Sequence, residues 1–225
     1  MNPLGRIIGY LAPFVCLDCG DEGLLLCSWC RSSLSHVQSR CYRCLTPSSK
    51  GKVCIACHDT LTATLARTSY DQILVRKMLF KLKSDRAGSV AIEMAEMMAP
   101  LLRQTDPTSI VTYAPTSTRR VRSRGYDQAQ LIARYLSRSS GLPYRRLLAR
   151  VGHTRQVGAD HQSRQNQLIS AFRVISPGHI TGRSIIIVDD VMTTGATLET
   201  AARVLVEAGA TQVTAVVFAA AQKLL

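Results

Sequence analysis

The chain has 225 residues, 46% of them apolar and only 5% aromatic, which is material for one α/β domain with an appendage and a mostly aliphatic core. No run approaches the ~18 apolar residues of a spanning helix, so a helical membrane protein is excluded and no membrane insertion is expected. The formal charge of +13 is uneven. Residues 112–173 hold twelve arginines against two aspartates, while 174–225 hold three basic and four acidic residues. A basic middle of this kind suits polyanions such as diphosphate or nucleic acid.

At the N-terminus, Arg6 followed by Ile7 to Val15 faintly resembles a secretion signal. It is short, holds Pro13, lacks a small-residue cleavage site and runs into a cysteine, so it reads as an apolar lead-in. All eight cysteines follow before residue 58, as four Cys-x-x-Cys doublets: Cys16/Cys19, Cys27/Cys30, Cys41/Cys44 and Cys54/Cys57. Regular doublets beside a cysteine-free remainder favour zinc over a disulfide scaffold. Each doublet offers two thiolates from one tight turn, so four doublets make two tetrahedral sites. Sequential pairing is the simplest arrangement, and interleaved pairing stays open. Full cysteine ligation leaves no open coordination position, which predicts two structural Zn²⁺, and the apolar lead-in read in place of a secretion signal leads to the expectation of a reducing, cytoplasmic compartment. Residues 1–60 are thus expected to form a double zinc ribbon.

Residues 61–225 read as a second unit. Ala66 to Tyr70 suits a short strand. Asp71 to Lys83 carries Ile73, Leu74, Met78, Leu79 and Leu82 at helical spacing, with Lys77, Lys81 and Lys83 mostly off that stripe, read as solvated by default, the alternative being that one reaches over a phosphate. Ser84 to Gly88 is a polar break, and Val90 to Leu102 is another helix with Met94, Met97 and Met98 as core filler. Ser109 to Ala114 is the next strand. It runs into a loop, Pro115-Thr116-Ser117-Thr118-Arg119-Arg120, continued by Arg122, Arg124, Gly125 and Tyr126. A helix over Asp127 to Ser139 follows. Arginine suits bidentate contact with phosphate oxygens, so Pro115, Thr116 and Arg124 are candidates for the diphosphate side of a pocket. Residues 151–168 are polar and arginine-bearing without periodicity, with His153 and His161 read as solvated, the alternative being a catalytic role. They suit a cover over that pocket.

The most informative stretch comes last. Ile185 to Val188 is a run of β-branched residues, apolar on both faces, as in a buried parallel strand. Asp189 and Asp190 stand where that strand is expected to end. Thr193-Thr194-Gly195-Ala196-Thr197 leads into a helix marked by Leu198, Ala201, Ala202 and Leu205, with Gly209 placed to stop it. In open α/β sheets ligands bind beyond the carboxyl ends of strands, and a helix start suits a phosphate. Twin carboxylates would repel that phosphate, so they are expected to face ribose hydroxyls or a metal.

Val188 to Thr197 resembles the phosphoribosyl diphosphate (PRPP) binding motif of type I phosphoribosyltransferases. The whole chain is similar to the ComF/GntX family, the competence protein F group. The likeness rests on the four cysteine doublets, Arg124-Gly125-Tyr126-x-Gln128, Thr154-x-Gln156, Arg164-x-Asn166 and the Asp-Asp loop. It implies a type I phosphoribosyltransferase-like fold, a mostly parallel sheet flanked by helices, behind a small zinc-ribbon module. It further implies binding of PRPP or ribose-5-phosphate with Mg²⁺, in DNA uptake or use of incoming DNA. In that reading Asp189 and Asp190 are catalytic, and Val191, Met192, Thr193, Thr194, Gly195, Ala196 and Thr197 hold the phosphate and ribose. Two departures stand out: Asp127 replaces the usual Asn, where a carboxylate would repel phosphate, and only Pro115 remains of a Pro-x-Pro. The alternative is a non-catalytic adaptor that binds single-stranded DNA and a helicase-like competence partner, with Tyr113, Tyr126, Tyr135 and Tyr144 as the stacking candidates.

Overall fold

A computed structural model describes residues 14–57, 60–84, 87–151 and 171–221. The zinc-ribbon lead-in before residue 14 and the cover, with His153, Thr154, Gln156, His161, Arg164 and Asn166, lie outside the described residues.

The described elements run α1 (Ser28–Ser33), β1 (Ala63–Ser69), α2 (Ile73–Lys81), α3 (Ala87–Met98), β2 (Ile110–Tyr113), α4 (Thr118–Arg124), α5 (Gln128–Ser140), β3 (Leu148–Arg150), β4 (Phe172–Val174), β5 (Ser184–Met192), α6 (Ala196–Glu207) and β6 (Gln212–Ala220). Four strands form a parallel sheet in the order β1-β6-β5-β2. β3 and β4 make a separate antiparallel pair.

The apolar run of β5 explains the layering. Successive side chains of a strand point to opposite faces. Ile186 and Val188 join one core with residues of α2, α3 and α5, and Ile185 and Ile187 join the other with Leu198, Ala201, Ala202 and Leu205 of α6. Both faces are covered, as an all-parallel sheet requires. Met94, Met97 and Met98 are buried among these contacts.

The cysteine-rich segment divides between the two cores. Leu25, Leu26, Cys30 and Leu34 pack into the first, beside α2 and α3; Tyr42 and Leu61 pack into the second, beside α6. Ion pairs Lys77–Asp18 and Arg31–Glu93 fasten the first half to α2 and α3.

Three sequence expectations change. β1 begins at Ala63, three residues before Ala66, because its pairing with β6 starts with Ala63 opposite Thr214. The arginine-rich stretch expected to be a loop contains the helix α4, closed by Gly125 at φ +80°. β5 does not end at Val188 but runs on through Asp189, Asp190, Val191 and Met192. It outlasts β2, whose last pair is Tyr113 with Val188, and stays paired with β6 as far as Met192 and Ala220. Gly209, at φ +95°, follows α6 as expected.

Candidate active site

Where β2 stops, β5 loses its neighbour on that side, and Asp189 and Asp190 stand at the resulting edge. The two carboxylates are held by local bonds. The Asp190 amide donates to Asp189 Oδ1 at 2.9 Å, and the Val191 amide donates to Asp190 Oδ1 at 2.8 Å. Burial, then the adjacent Asp190 charge, pushes the Asp189 carboxyl well above the usual carboxylate range. A half-buried pair of adjacent carboxylates facing a cavity calls for a cation or hydroxyl donors.

Past Met192 the chain bends through Thr193 and Thr194, both exposed, to Gly195 at φ +82°, the N-cap of α6. The left-handed conformation there favours glycine, which lacks a Cβ. Thr194 Oγ1 accepts from the Ala196 amide at 3.4 Å. Val191 is half-buried, Met192 is turned into the core and Ala196 is exposed.

The second wall comes from the segment after β2. Asp127, expected to trouble a phosphate, is buried and spent on backbone instead. It caps α5 by accepting from the Ala129 and Gln130 amides, and its Oδ2 accepts from the Thr116 amide at 2.8 Å. Burial pushes its carboxyl up, against the three amides. Arg124 donates to Oε1 of Gln128, whose Nε2 is buried with no partner among the described residues. Arg150 donates to the Pro115 carbonyl at 3.4 Å and lies over the Phe172 ring at 5.3 Å. Tyr126 donates to the carbonyls of Leu82 and Ser84, which ties the Arg-Gly-Tyr segment to the end of α2.

These walls enclose a cavity of about 710 Å³ at the carboxyl ends of the strands. Of the residues expected from the sequence, Pro115, Thr116, Arg124, Asp189, Asp190, Val191, Thr193 and Thr197 line it; Met192, Thr194, Gly195 and Ala196 are not among the lining residues. Lining residues to which the sequence assigned no role are Gln128, Arg150, Arg76, Phe80 and Tyr70; Arg120, in the arginine stretch read as the diphosphate side, and Lys83, read as solvated or reaching over a phosphate, line it too. Gln128 was within the quoted Arg-Gly-Tyr motif, and that was its only signal.

The cysteines form two groups, Cys16, Cys19, Cys27 and Cys30, and Cys41, Cys44, Cys54 and Cys57, each with ligand atoms within 4.8 Å of one another. This is the sequential pairing. Cys19 and Cys27 sulfurs stand 3.7 Å apart, and Cys44 and Cys54 sulfurs 3.5 Å apart. A Zn–S bond of about 2.3 Å puts tetrahedral sulfurs roughly 3.8 Å apart, so both groups fit a zinc ion. Amides donate to the sulfurs, Cys27 N to Cys16 and Cys30 N to Cys27, as suits thiolates.

Known proteins align with this arrangement. The phosphoribosyl transferase domain family matches residues 120–224. Competence protein F of Haemophilus influenzae is 28% identical over 199 residues, covering 83% of this chain and 81% of its own. Competence protein ComFC of Bacillus subtilis is 29% identical over 195 residues, covering 82% and 79%. The DNA utilization protein YhgH of Salmonella typhimurium is 28% identical over 204 residues, covering 88% and 86%. Over most of its length the chain is similar to these competence and DNA utilization proteins. Among solved structures, the glutamine PRPP amidotransferase of B. subtilis is similar over 58% of this chain and 26% of its own, at 20% identity and a TM-score of 0.43. The chain combines a phosphoribosyltransferase-type α/β fold with two Cys₄ groups able to hold zinc. No helix among its described residues is long and apolar enough to cross a membrane.

Proposed function

We propose that this protein binds PRPP or ribose-5-phosphate with Mg²⁺ and transfers the phosphoribosyl group to an acceptor. The observation that carries this reading is the single cavity lined by Asp189 and Asp190 on one side and by Thr193, Thr197, Thr116, Arg124 and Arg150 on the others. Thr193 to Thr197 take the 5-phosphate at the start of α6, with backbone amides, hydroxyls and the helix dipole. Asp189 and Asp190 hold the ribose hydroxyls or the metal. Their hard oxygens suit Mg²⁺, and a cation there would favour the ionised form of the Asp189 carboxyl, which burial and then the Asp190 charge push up. The ion would supply neutralisation of the diphosphate as it leaves. Arg124, Arg150 and the Thr116 side would hold that leaving group, and the carboxylates would stabilise positive charge growing at the anomeric carbon.

Residues 1–60 act in this reading as a double zinc ribbon and residues 61–225 as the phosphoribosyltransferase-like domain. The setting is DNA uptake or the use of incoming DNA, supported by the names of the relatives.

A second reading, an adaptor for single-stranded DNA, is favoured by the exposed Arg119, Arg120 and Arg122 of α4, of which Arg120 lines the cavity. Base stacking gets less support, since Tyr113 is buried and stacked on Tyr144 with centroids 6.5 Å apart. Calorimetric titration with ribose-5-phosphate and Mg²⁺, followed by a screen for diphosphate release from PRPP across acceptors, separates the two. Binding and turnover support the transferase. Absence of any sugar-phosphate binding, beside DNA binding that weakens with salt, leaves the adaptor.

A further inference from the structure

Glu199 lies in the first turn of α6, the helix whose N-terminus is assigned to the sugar phosphate. A flexible carboxylate there would compete for the same amides and dipole. Both of its oxygens are instead engaged by the turn between Cys41 and Cys44. The Tyr42 hydroxyl donates to Oε1 at 2.8 Å, and Arg43 pairs with Oε2 at 3.1 Å. The Tyr42 ring is buried and lies on Gly195, so close that a Cβ there would stand 2.9 Å from Cε2. Among the described residues the first Cys₄ group shows no such link; its ion pairs run to α2 and α3.

We propose that Tyr42, with Arg43, is a positioning residue for the phosphate loop: the second Cys₄ turn holds Glu199 off the α6 amides and presses Gly195 into place, so the metal state of that group sets affinity for the sugar phosphate. This rests on the reading of Thr193 to Thr197 as the phosphate loop. The zinc turn is rigid when its four ligands are tied to one ion, and it carries Tyr42 and Arg43 between two of them. Loss of that ion releases both side chains, and with them the competing carboxylate.

The test uses the full-length, zinc-loaded chain with ribose-5-phosphate and Mg²⁺ as the probe. Tyr42→Ala is expected to weaken binding about tenfold through lost preorganisation, and Glu199→Gln in the same chain is expected to restore most of it. Arg31→Ala, which loosens the first group from α3, is expected to leave affinity unchanged. Amide exchange of residues 195–198, read without ligand, is expected to quicken in Tyr42→Ala. Where Tyr42→Ala does not fold, Arg43→Ala is the deciding variant, expected to weaken binding about threefold with the same restoration by Glu199→Gln. Unchanged affinity and unchanged exchange overturn the proposal, and so does weakening that Glu199→Gln fails to restore. Wild-type protein that binds no ribose-5-phosphate overturns the phosphate reading itself, and the exchange measurement then decides the Tyr42 coupling alone.

Discussion

The amide of Thr116 donates to Oδ2 of Asp127 across 2.8 Å, joining the loop after β2 to the cap of α5. The other oxygen caps the helix through Ala129 and Gln130. One carboxylate therefore fixes both the helix start and one wall of the cavity. Asp127→Ala loses a cap, about 1 kcal/mol, and a buried loop bond of about the same size. Thermal unfolding is expected to fall by about 4–8 °C for a chain of this length. Asp127→Asn keeps one acceptor and sheds a buried charge, so it is expected to cost less than the alanine. Equal losses in the two variants would show that the carboxylate's double bonding does not matter.

Asp189 is expected to trade stability for binding. Its folded carboxyl is raised by burial and by Asp190. The stability this group contributes is complete below the ordinary carboxylate range, where folded and unfolded chains are both protonated. It is lost as pH rises through the raised folded value. Ligand-free protein should therefore melt higher in mild acid than in mild alkali through this group, and Asp189→Asn should flatten that slope. The same variant should melt higher at neutral pH, by about 2–4 °C for each kcal/mol relieved, while losing Mg²⁺-dependent ribose-5-phosphate binding. Calorimetry of melting and of binding checks both halves. A less stable Asp189→Asn would contradict the assignment of strain to this pair.

Gly195 is expected to accept no side chain. An alanine at φ +82° costs about 1–2 kcal/mol of backbone strain. Its Cβ would also meet Tyr42 Cε2 at 2.9 Å. Gly195→Ala should therefore lower the melting temperature and weaken ribose-5-phosphate binding together, measured on protein whose zinc content is intact. Tyr42→Ala in the same chain should recover part of the melting loss, because it removes the contact and leaves only the strain.

The two Cys₄ groups are expected to load independently. Elemental analysis should find about two zinc ions per chain, one for each cluster. Cys54→Ser should leave about one, since it breaks only the second cluster. Chelation of the remaining ion should then expose Leu25, Leu26 and Leu34, now packed beside α2 and α3, which an apolar dye would report. Loss of both ions from a single cysteine change would mean that the clusters are not separate sites.

The elements legible from the sequence were those with a strong local signature. The β-branched run of β5, the methionine-bearing helix α3 and the four cysteine doublets each state their structure within a few residues. The helix α4 was not legible, because Thr118 to Arg124 buries none of its residues and so shows no apolar stripe. The reach of β5 to Met192 was not legible either. It depends on how far β6 runs alongside, a distant pairing that no local pattern records. Tyr126 read as a stacking candidate, yet its hydroxyl anchors the end of α2.

By itself the sequence determined the chemistry available: thiolates in doublets, twin acids after an apolar strand, hydroxyls around one glycine, and arginines in the middle of the chain. Those are properties of neighbouring residues, and neighbours in sequence stay neighbours in the fold. Only the tertiary structure decided which distant groups meet. It set Asp127 against Thr116, Arg150 against Pro115, and Tyr42 of a cysteine turn against Gly195 and Glu199, 157 residues away in the last case. Such meetings follow from the covering of both sheet faces, a demand of the whole apolar core that no single stretch contains.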